Sequence, residues 1–185
     1  VTWSIRAGGD ADVPACVELW VSAVEARDGS APEGTAGRAR SKFAQRWVSF
    51  AVAVADEGDS GRSAGTVGFA LVTETGNGFP SDPPGAAYLG MVAAAPGFAR
   101  SGVGGALLDA VSSQALAGHP SLVLHVLTSN TAALRLYENR GWRRHGEIFA
   151  HPLSGADTIT MVLDGADEGR ATGGPRPAPE DGRAA

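Results

Sequence analysis

Tyr88-Leu-Gly-Met-Val-Ala-Ala-Ala-Pro96, followed at once by Gly97-Phe-Ala-Arg-Ser-Gly-Val-Gly-Gly-Ala-Leu-Leu108, decides how the rest of the chain is read. The first part is short, apolar and closed by proline, which suits a buried strand. The second part sets Gly102, Gly104 and Gly105 at the head of a helical apolar spacing formed by Val103, Ala106, Leu107, Ala110 and Val111. Glycines at such a corner let the backbone turn sharply and leave N–H groups unpaired at a helix start. Free donors and the helix dipole then both favour negative charge. Arg100 adds a cation with several donors. The N–H groups of Arg100, Ser101, Gly102, Val103, Gly104 and Gly105 therefore read as a pyrophosphate cradle.

Two other nucleotide motifs fail on the letters. A dinucleotide fingerprint counted from Gly102 meets Leu107 where its last glycine belongs, and Thr128 and Ser129 stand where it expects an acidic residue. A phosphate loop needs Gly-Lys-Ser/Thr, and the only lysine of the chain is Lys42.

A second motif follows the apolar strand Leu122–Leu127: Asn130-Thr-Ala-Ala-Leu-Arg-Leu-Tyr137-Glu-Asn-Arg-Gly141-Trp142. Asn130 suits a helix N-cap and Gly141 a C-terminal stop. Asn130, Ala133 and Tyr137 fall on one helix face. In order and spacing the two motifs resemble the GNAT superfamily of acetyl-CoA-dependent N-acetyltransferases over about Thr2 to Asp164. Ala94, Ala99 and Trp142 depart from residues usual in that pattern.

The resemblance implies an α/β fold: a mixed, mostly antiparallel central sheet, helices on both faces, and a splayed pair of parallel strands. It implies direct transfer of acetyl from the CoA thioester to an amine of a small molecule or peptide, with acetyl-CoA as co-substrate and no metal. It places the thioester carbonyl against backbone of the central strand at Val92, Ala93 and Ala94, and the pantetheine side of the cofactor near Asn130, Ala133 and Tyr137. Tyr137 would be the general acid. The base is expected on one of the splayed strands, where Tyr88–Ala95 has no carboxylate but the next strand has His125. His125 can accept a proton with an ordinary pKa near 6.5, or it can be a core histidine between Val123 and Leu127. An enzyme using another acyl-CoA or an O-nucleophile, and a non-catalytic acyl-CoA-binding sensor, are the alternative functions.

The remaining sequence sets bounds. The chain has 185 residues, of which 43% are hydrophobic, enough for one domain with a full core. A net charge of −5 argues against a nucleic-acid partner. A single cysteine excludes an internal disulfide, and no Cys/His spacing suits zinc. No apolar run is long enough for a membrane span, so a cytoplasmic protein without a membrane partner is expected. A homodimer is left open.

In chain order, Thr2–Ala7 reads as a strand. Asp12 caps a helix whose stripe is Val13, Val17, Trp20, Val21 and Val24, with Cys16 beside it as a small buried hydrophobe. A second helix is expected from about Arg38, carrying Phe43 and Trp47. Glu25, Asp28 and Glu33 can attract a cationic amine, although solvated loop carboxylates are the plainer reading. Phe50–Ala55 and Thr66–Thr73 suit strands joined by the polar turn Asp56–Gly65. Gly76–Gly85, rich in glycine and proline, reads as an irregular loop on the acceptor side. Arg143–Phe149 and Thr158–Leu163 suit a closing hairpin. Residues 1–164 form the expected domain. Gly165–Ala185 lacks aliphatic and aromatic core residues other than alanine and is expected to be a disordered tail. His119, His145 and His151 receive no role.

Overall fold

A computed structural model describes residues 2–55 and 65–165. The expected tail from residue 166 onward, and positions 56–64 of the expected polar turn, lie outside the described residues. The elements are β1 (Trp3–Ala7), α1 (Val13–Asp28), α2 (Thr35–Phe43), β2 (Trp47–Ala55), β3 (Thr66–Thr73), β4 (Ala87–Ala94), α3 (Val103–Leu116), β5 (Ser121–Leu127), α4 (Thr131–Glu138), β6 (Arg143–Ala150) and β7 (Asp157–Asp164). They build one sheet in the order β1-β2-β3-β4-β5-β7-β6. Every neighbouring pair is antiparallel except β4 and β5.

Strands β2 and β3 are apolar on both faces because helices cover both sides. On one face α3 packs over Ala70, Val72, Leu89, Leu122 and Leu124. Gly68 makes that approach possible: a Cβ there would lie 2.6 Å from Val103 Cγ1 and 2.9 Å from Leu107 Cδ1. On the other face α1 and α2 pack over Val52, Phe69, Leu71 and Met91. The expected fold class is therefore the observed one.

Local details differ from the sequence reading. Cys16 lies within the buried stripe of α1, fully covered, and burial pushes its thiol up to about 12. Asp12 occupies the N-cap position of α1 but makes no side-chain cap hydrogen bond to the helix. Its carboxylate instead accepts from Arg6 at 2.8 and 2.6 Å and from the Gly9 N–H at 3.0 Å. Helix α2 starts at Thr35, after Gly34 at φ +79°, and it stops at Phe43. Trp47 belongs to β2. Its indole N–H donates back to the Phe43 carbonyl at 2.8 Å and its ring packs on Phe43 and Phe50, which explains why Phe43 and Trp47 look like one helix face in the sequence. Gly165, the first residue of the expected tail, is tied down by its N–H to the Pro120 carbonyl at 2.9 Å.

Two irregularities open the middle of the sheet. Strands β4 and β5 pair only at Ala87–Leu122 and Tyr88–Val123, and beyond that they separate. Along β3 the register steps from Leu71–Met91 to Val72–Leu89, so Gly90 is an extra residue in β4, a bulge at the start of the gap.

Candidate active site

The gap between β4 and β5 is the centre of a cleft of about 1190 Å³. Two of its walls belong to opposite faces of the sheet. The α3/α4 side carries the glycine corner and Tyr137. The α1/α2 side carries Tyr88, His125 and Lys42.

On the first side, Gly102 adopts φ +87° and serves as the N-cap of α3, with no side chain capping the helix. The first helical hydrogen bond runs from Ala106 N–H to the Gly102 carbonyl at 3.0 Å. The N–H groups of Val103, Gly104 and Gly105 are thus first-turn donors without intrahelical partners. Arg100 is held at φ +61° beside them. Ser101 contributes less than its place in the motif suggests, because its N–H and Oγ both donate to the Phe98 carbonyl, at 3.2 and 2.6 Å. A further cation sits here. Arg140, just after α4, lies across the first turn of α3, so that a Cβ on Gly105 would be 2.0 Å from its guanidinium. Asp109 holds it at 2.8 Å. Bare donors, a helix N-terminus, Arg100 and Arg140 together fit a diphosphate.

The central strand supplies donors to the gap. Ala95 N–H donates to the Val67 carbonyl at 2.8 Å. Alternation along the antiparallel ladder then turns the N–H of Ala93 toward β3 and those of Val92 and Ala94 toward the gap. Asn130 caps α4, its side-chain oxygen accepting from Ala133 N–H at 3.2 Å, and among the described residues its amide NH₂ has no partner at the cleft. Gly141 at φ +82° follows the end of α4 as expected. Ala133 and Tyr137 also line the cleft. Tyr137 packs on Trp142 at 5.8 Å between ring centroids, and burial pushes its phenol up to about 12.

On the second side stands the loop Gly76–Gly85. It wraps His125. Phe79 lies 4.4 Å from the imidazole, centroid to centroid, with Tyr88 at 5.4 Å and Phe149 at 6.0 Å. His125 Nε2 is 2.7 Å from Asp82 Oδ1, with side chains only 5% and 11% exposed. Asp82 is itself fixed: its other oxygen accepts the Phe79 N–H at 2.8 Å, and its own N–H donates to the Phe79 carbonyl at 3.0 Å. Gly78 permits this turn, since a Cβ there would strike Asp82 Oδ2 at 2.0 Å. An ionised carboxylate only accepts, so Nε2 carries the imidazole proton and Nδ1 the lone pair. Burial holds His125 below the ordinary histidine range; Asp82 opposes that shift, and Lys42 and His151 add to it.

Asp82, Arg38, Lys42, Arg140 and His151 are charged or titratable residues of the cleft region that the motifs did not indicate. Arg27 and Asp28 also border the cleft, but they pair with each other at 2.6 Å. Glu25 and Glu33 are absent from its lining. Among the described residues no cluster of His, Cys, Asp and Glu could hold a metal, and no helix is long and apolar enough to cross a membrane.

A central sheet split between two parallel strands, with an uncapped helix start and two arginines beside the split, is the architecture around this cleft. The family model for the acetyltransferase (GNAT) family matches residues 18–142, about two thirds of the chain, and the chain belongs to that family. It is 38% identical over 84 residues to N-alpha-acetyltransferase 60 of Xenopus tropicalis, a match covering 42% of this chain and 35% of that protein. The chain thus spans about a third of the length of this curated relative. The structure is similar to the ribosomal-protein-S18-alanine N-acetyltransferase of Escherichia coli, with TM-score 0.67, 21% identity, and coverage of 92% of this chain and 98% of that one. It is also similar to yncA of Salmonella typhimurium, solved with its cofactor acetyl-CoA, with TM-score 0.64, 18% identity, and coverage of 89% and 94%.

Proposed function

We propose that this protein transfers acetyl from acetyl-CoA directly to an amine, and that the α-amine of a small molecule or peptide suits its site better than a lysine-like amine. The observation that carries this reading is the opening of β4 from β5 beside the uncapped start of α3. Acetyl-CoA supplies an activated acyl group as a thioester. The donors of Val103, Gly104 and Gly105, with Arg100 and Arg140, hold the diphosphate. Val92 and Ala94 present N–H groups to the thioester carbonyl, a kind of contact worth a few kcal/mol when aimed at developing negative charge. The N-alpha-acetyltransferase relative supports the choice of an α-amine.

His125 removes the amine proton through Nδ1, and Asp82 positions it. Because burial lowers its basicity, His125 is neutral at pH 7 and ready to accept. The same shift makes it a poor partner for a lysine-like ammonium, whose pKa near 10.4 leaves a gap of about 4 units or more. An α-ammonium near 8 is already partly deprotonated at neutral pH.

Tyr137 acts on the departing sulfur in this reading. With its phenol pushed up to about 12 by burial, complete transfer to a thiolate whose conjugate acid lies near 8.5 would be uphill. Its contribution is therefore a hydrogen bond to the sulfur as charge develops, with the proton retained by the phenol. A cytoplasmic setting is kept as part of this reading.

The test is release of free thiol from acetyl-CoA by the purified protein against an amine panel of amino acids, peptide N-termini, polyamines and antibiotics. The expected result is thiol release that needs an amine and yields an acetylated product by mass. Binding of acetyl-CoA with no amine-dependent release would favour the sensor alternative.

A further inference from the structure

The α1/α2 wall of the cleft is cationic in a protein whose net charge is −5. Lys42, the only lysine in the chain, ends α2 with its stem over the Gly90 bulge, where a Cβ would come 3.7 Å from its Cδ. Its Nζ stands 4.4 Å from the centre of the Tyr88 ring. Among the described residues no carboxylate lies within 4.0 Å of it. Burial lowers its pKa. One helical turn earlier, on the same face of α2, Arg38 also borders the cleft. Its guanidinium donates to the Glu33 carbonyl and the Thr35 hydroxyl, both at 2.9 Å, and among the described residues to no carboxylate.

Two like charges one turn apart repel, and a cation moved away from water without a counter-ion is unfavourable. Such an arrangement is satisfied when an anion arrives. Among the described residues the acids bordering this space are already engaged, Asp28 by Arg27 and Asp82 by His125. The other groups facing this space are Tyr88 from β4, His125 from β5 and His151 after β6.

We infer that Lys42, with Arg38 at the rim, binds a carboxylate carried by the acceptor close to the amine that is acetylated. The acceptor class is thus an acidic amine, either a free amino acid or a peptide beginning with an acidic residue. This rests on the amine-acetylation reading. The Gly90 bulge places Lys42 beside the start of the β4–β5 gap, so the carboxylate would orient the amine toward His125.

The experiment compares Asp- and Glu-initiated peptides with their Asn and Gln counterparts, and free aspartate and glutamate with asparaginamide and glutaminamide, which lack both carboxylates, on the full chain, Lys42→Met and Lys42→Arg. Acid over amide is expected at about 10- to 150-fold in kcat/KM, expressed in KM, as for a hydrogen bond to a charged group. Lys42→Met should erase that preference and Lys42→Arg should keep most of it, with the Kd for CoA unchanged in both. The peptide and free-acid arms identify the source of the carboxylate. Equal use of acids and amides by the wild-type chain, or a preference that survives in Lys42→Met, overturns the inference.

A second readout does not depend on turnover. Reductive methylation with isotope-labelled methyl groups gives Lys42 an NMR signal, assigned by its loss in Lys42→Arg. In CoA-loaded protein that signal should move on addition of glutamate or an acidic peptide and stay put with glutaminamide. Movement without acetylation would count against the amine-acetylation reading alone. No movement with any acid would overturn the carboxylate site.

Discussion

Replacing Asp82 by Asn tests the proton path through a contact that the motifs do not reveal. Asp82 Oδ1 lies 2.7 Å from His125 Nε2, and its other oxygen is committed to the Phe79 N–H at 2.8 Å. Asn is nearly isosteric, and its single carbonyl oxygen can keep the Phe79 bond. Its NH₂ then faces Nε2, which must accept, and the imidazole proton moves to Nδ1. The lone pair meant for the amine is lost from that nitrogen. A hydrogen bond to a charged group contributes about 1.5–3 kcal/mol, so kcat/KM should fall about 10- to 150-fold. The pH profile separates this from a merely loosened loop. Asp82 raises the basicity of His125, so its removal lowers that pKa further. A base works only when neutral, so the acid limb should move to lower pH. The assay is thiol release at saturating acetyl-CoA across about pH 5 to 8, with KM for acetyl-CoA as the control for intact folding. Unchanged kcat/KM, or an acid limb moving upward, would refute the role given to the pair.

Other consequences follow from the same geometry. Tyr137→Phe should lower kcat about 10- to 150-fold without moving the acid limb, because a hydrogen bond to charged sulfur is lost and no group titrating near neutrality is touched; steady-state rates across pH check it. Gly68→Ala should destabilise the fold by about 1–3 kcal/mol by pushing α3 off β3, seen as a lower denaturation midpoint with an unchanged slope. Stability of the chain should decline as pH falls through about 6.5. His125 binds its proton less readily in the folded state than in the unfolded one, and the unfolded state gains from protonation first. Denaturant titrations of wild type and His125→Gln should show that this pH dependence is reduced in the variant.

The motifs carried most of the fold because they report local physics. Glycines before an apolar helical spacing, an Asn cap, and Gly141 as a stop all act within a turn or so of themselves, and each lies where the sequence indicates. Trp47 looks helical in the sequence for the same reason: its spacing from Phe43 is helical, but its indole reaches back from a strand. What remained hidden are partners far apart in the chain. Asp82 and His125 are separated by 43 positions, and Arg140 and Asp109 by 31, with no periodicity linking them. Lys42 lies near the end of a short helix whose polar sequence gives no sign that it turns its cation over Tyr88. His125 was legible as a candidate because it is a titratable residue inside an apolar strand. Its contact with Asp82, made by the fold of the Gly76–Gly85 loop, is not visible in the strand itself.

The central claim is that the uncapped corner at Gly102 and the gap beside β4 receive acetyl-CoA. Calorimetric titration of acetyl-CoA into the wild-type chain and into Gly102→Ala addresses it directly. At φ +87° an alanine costs about 1–2 kcal/mol of backbone strain. The nearest atom to its Cβ is 3.8 Å away, so the corner distorts without being filled. The account predicts saturable one-to-one binding that inorganic pyrophosphate weakens and that Gly102→Ala weakens further. Absence of binding by the folded wild-type protein, or binding that neither pyrophosphate nor Gly102→Ala changes, would contradict it.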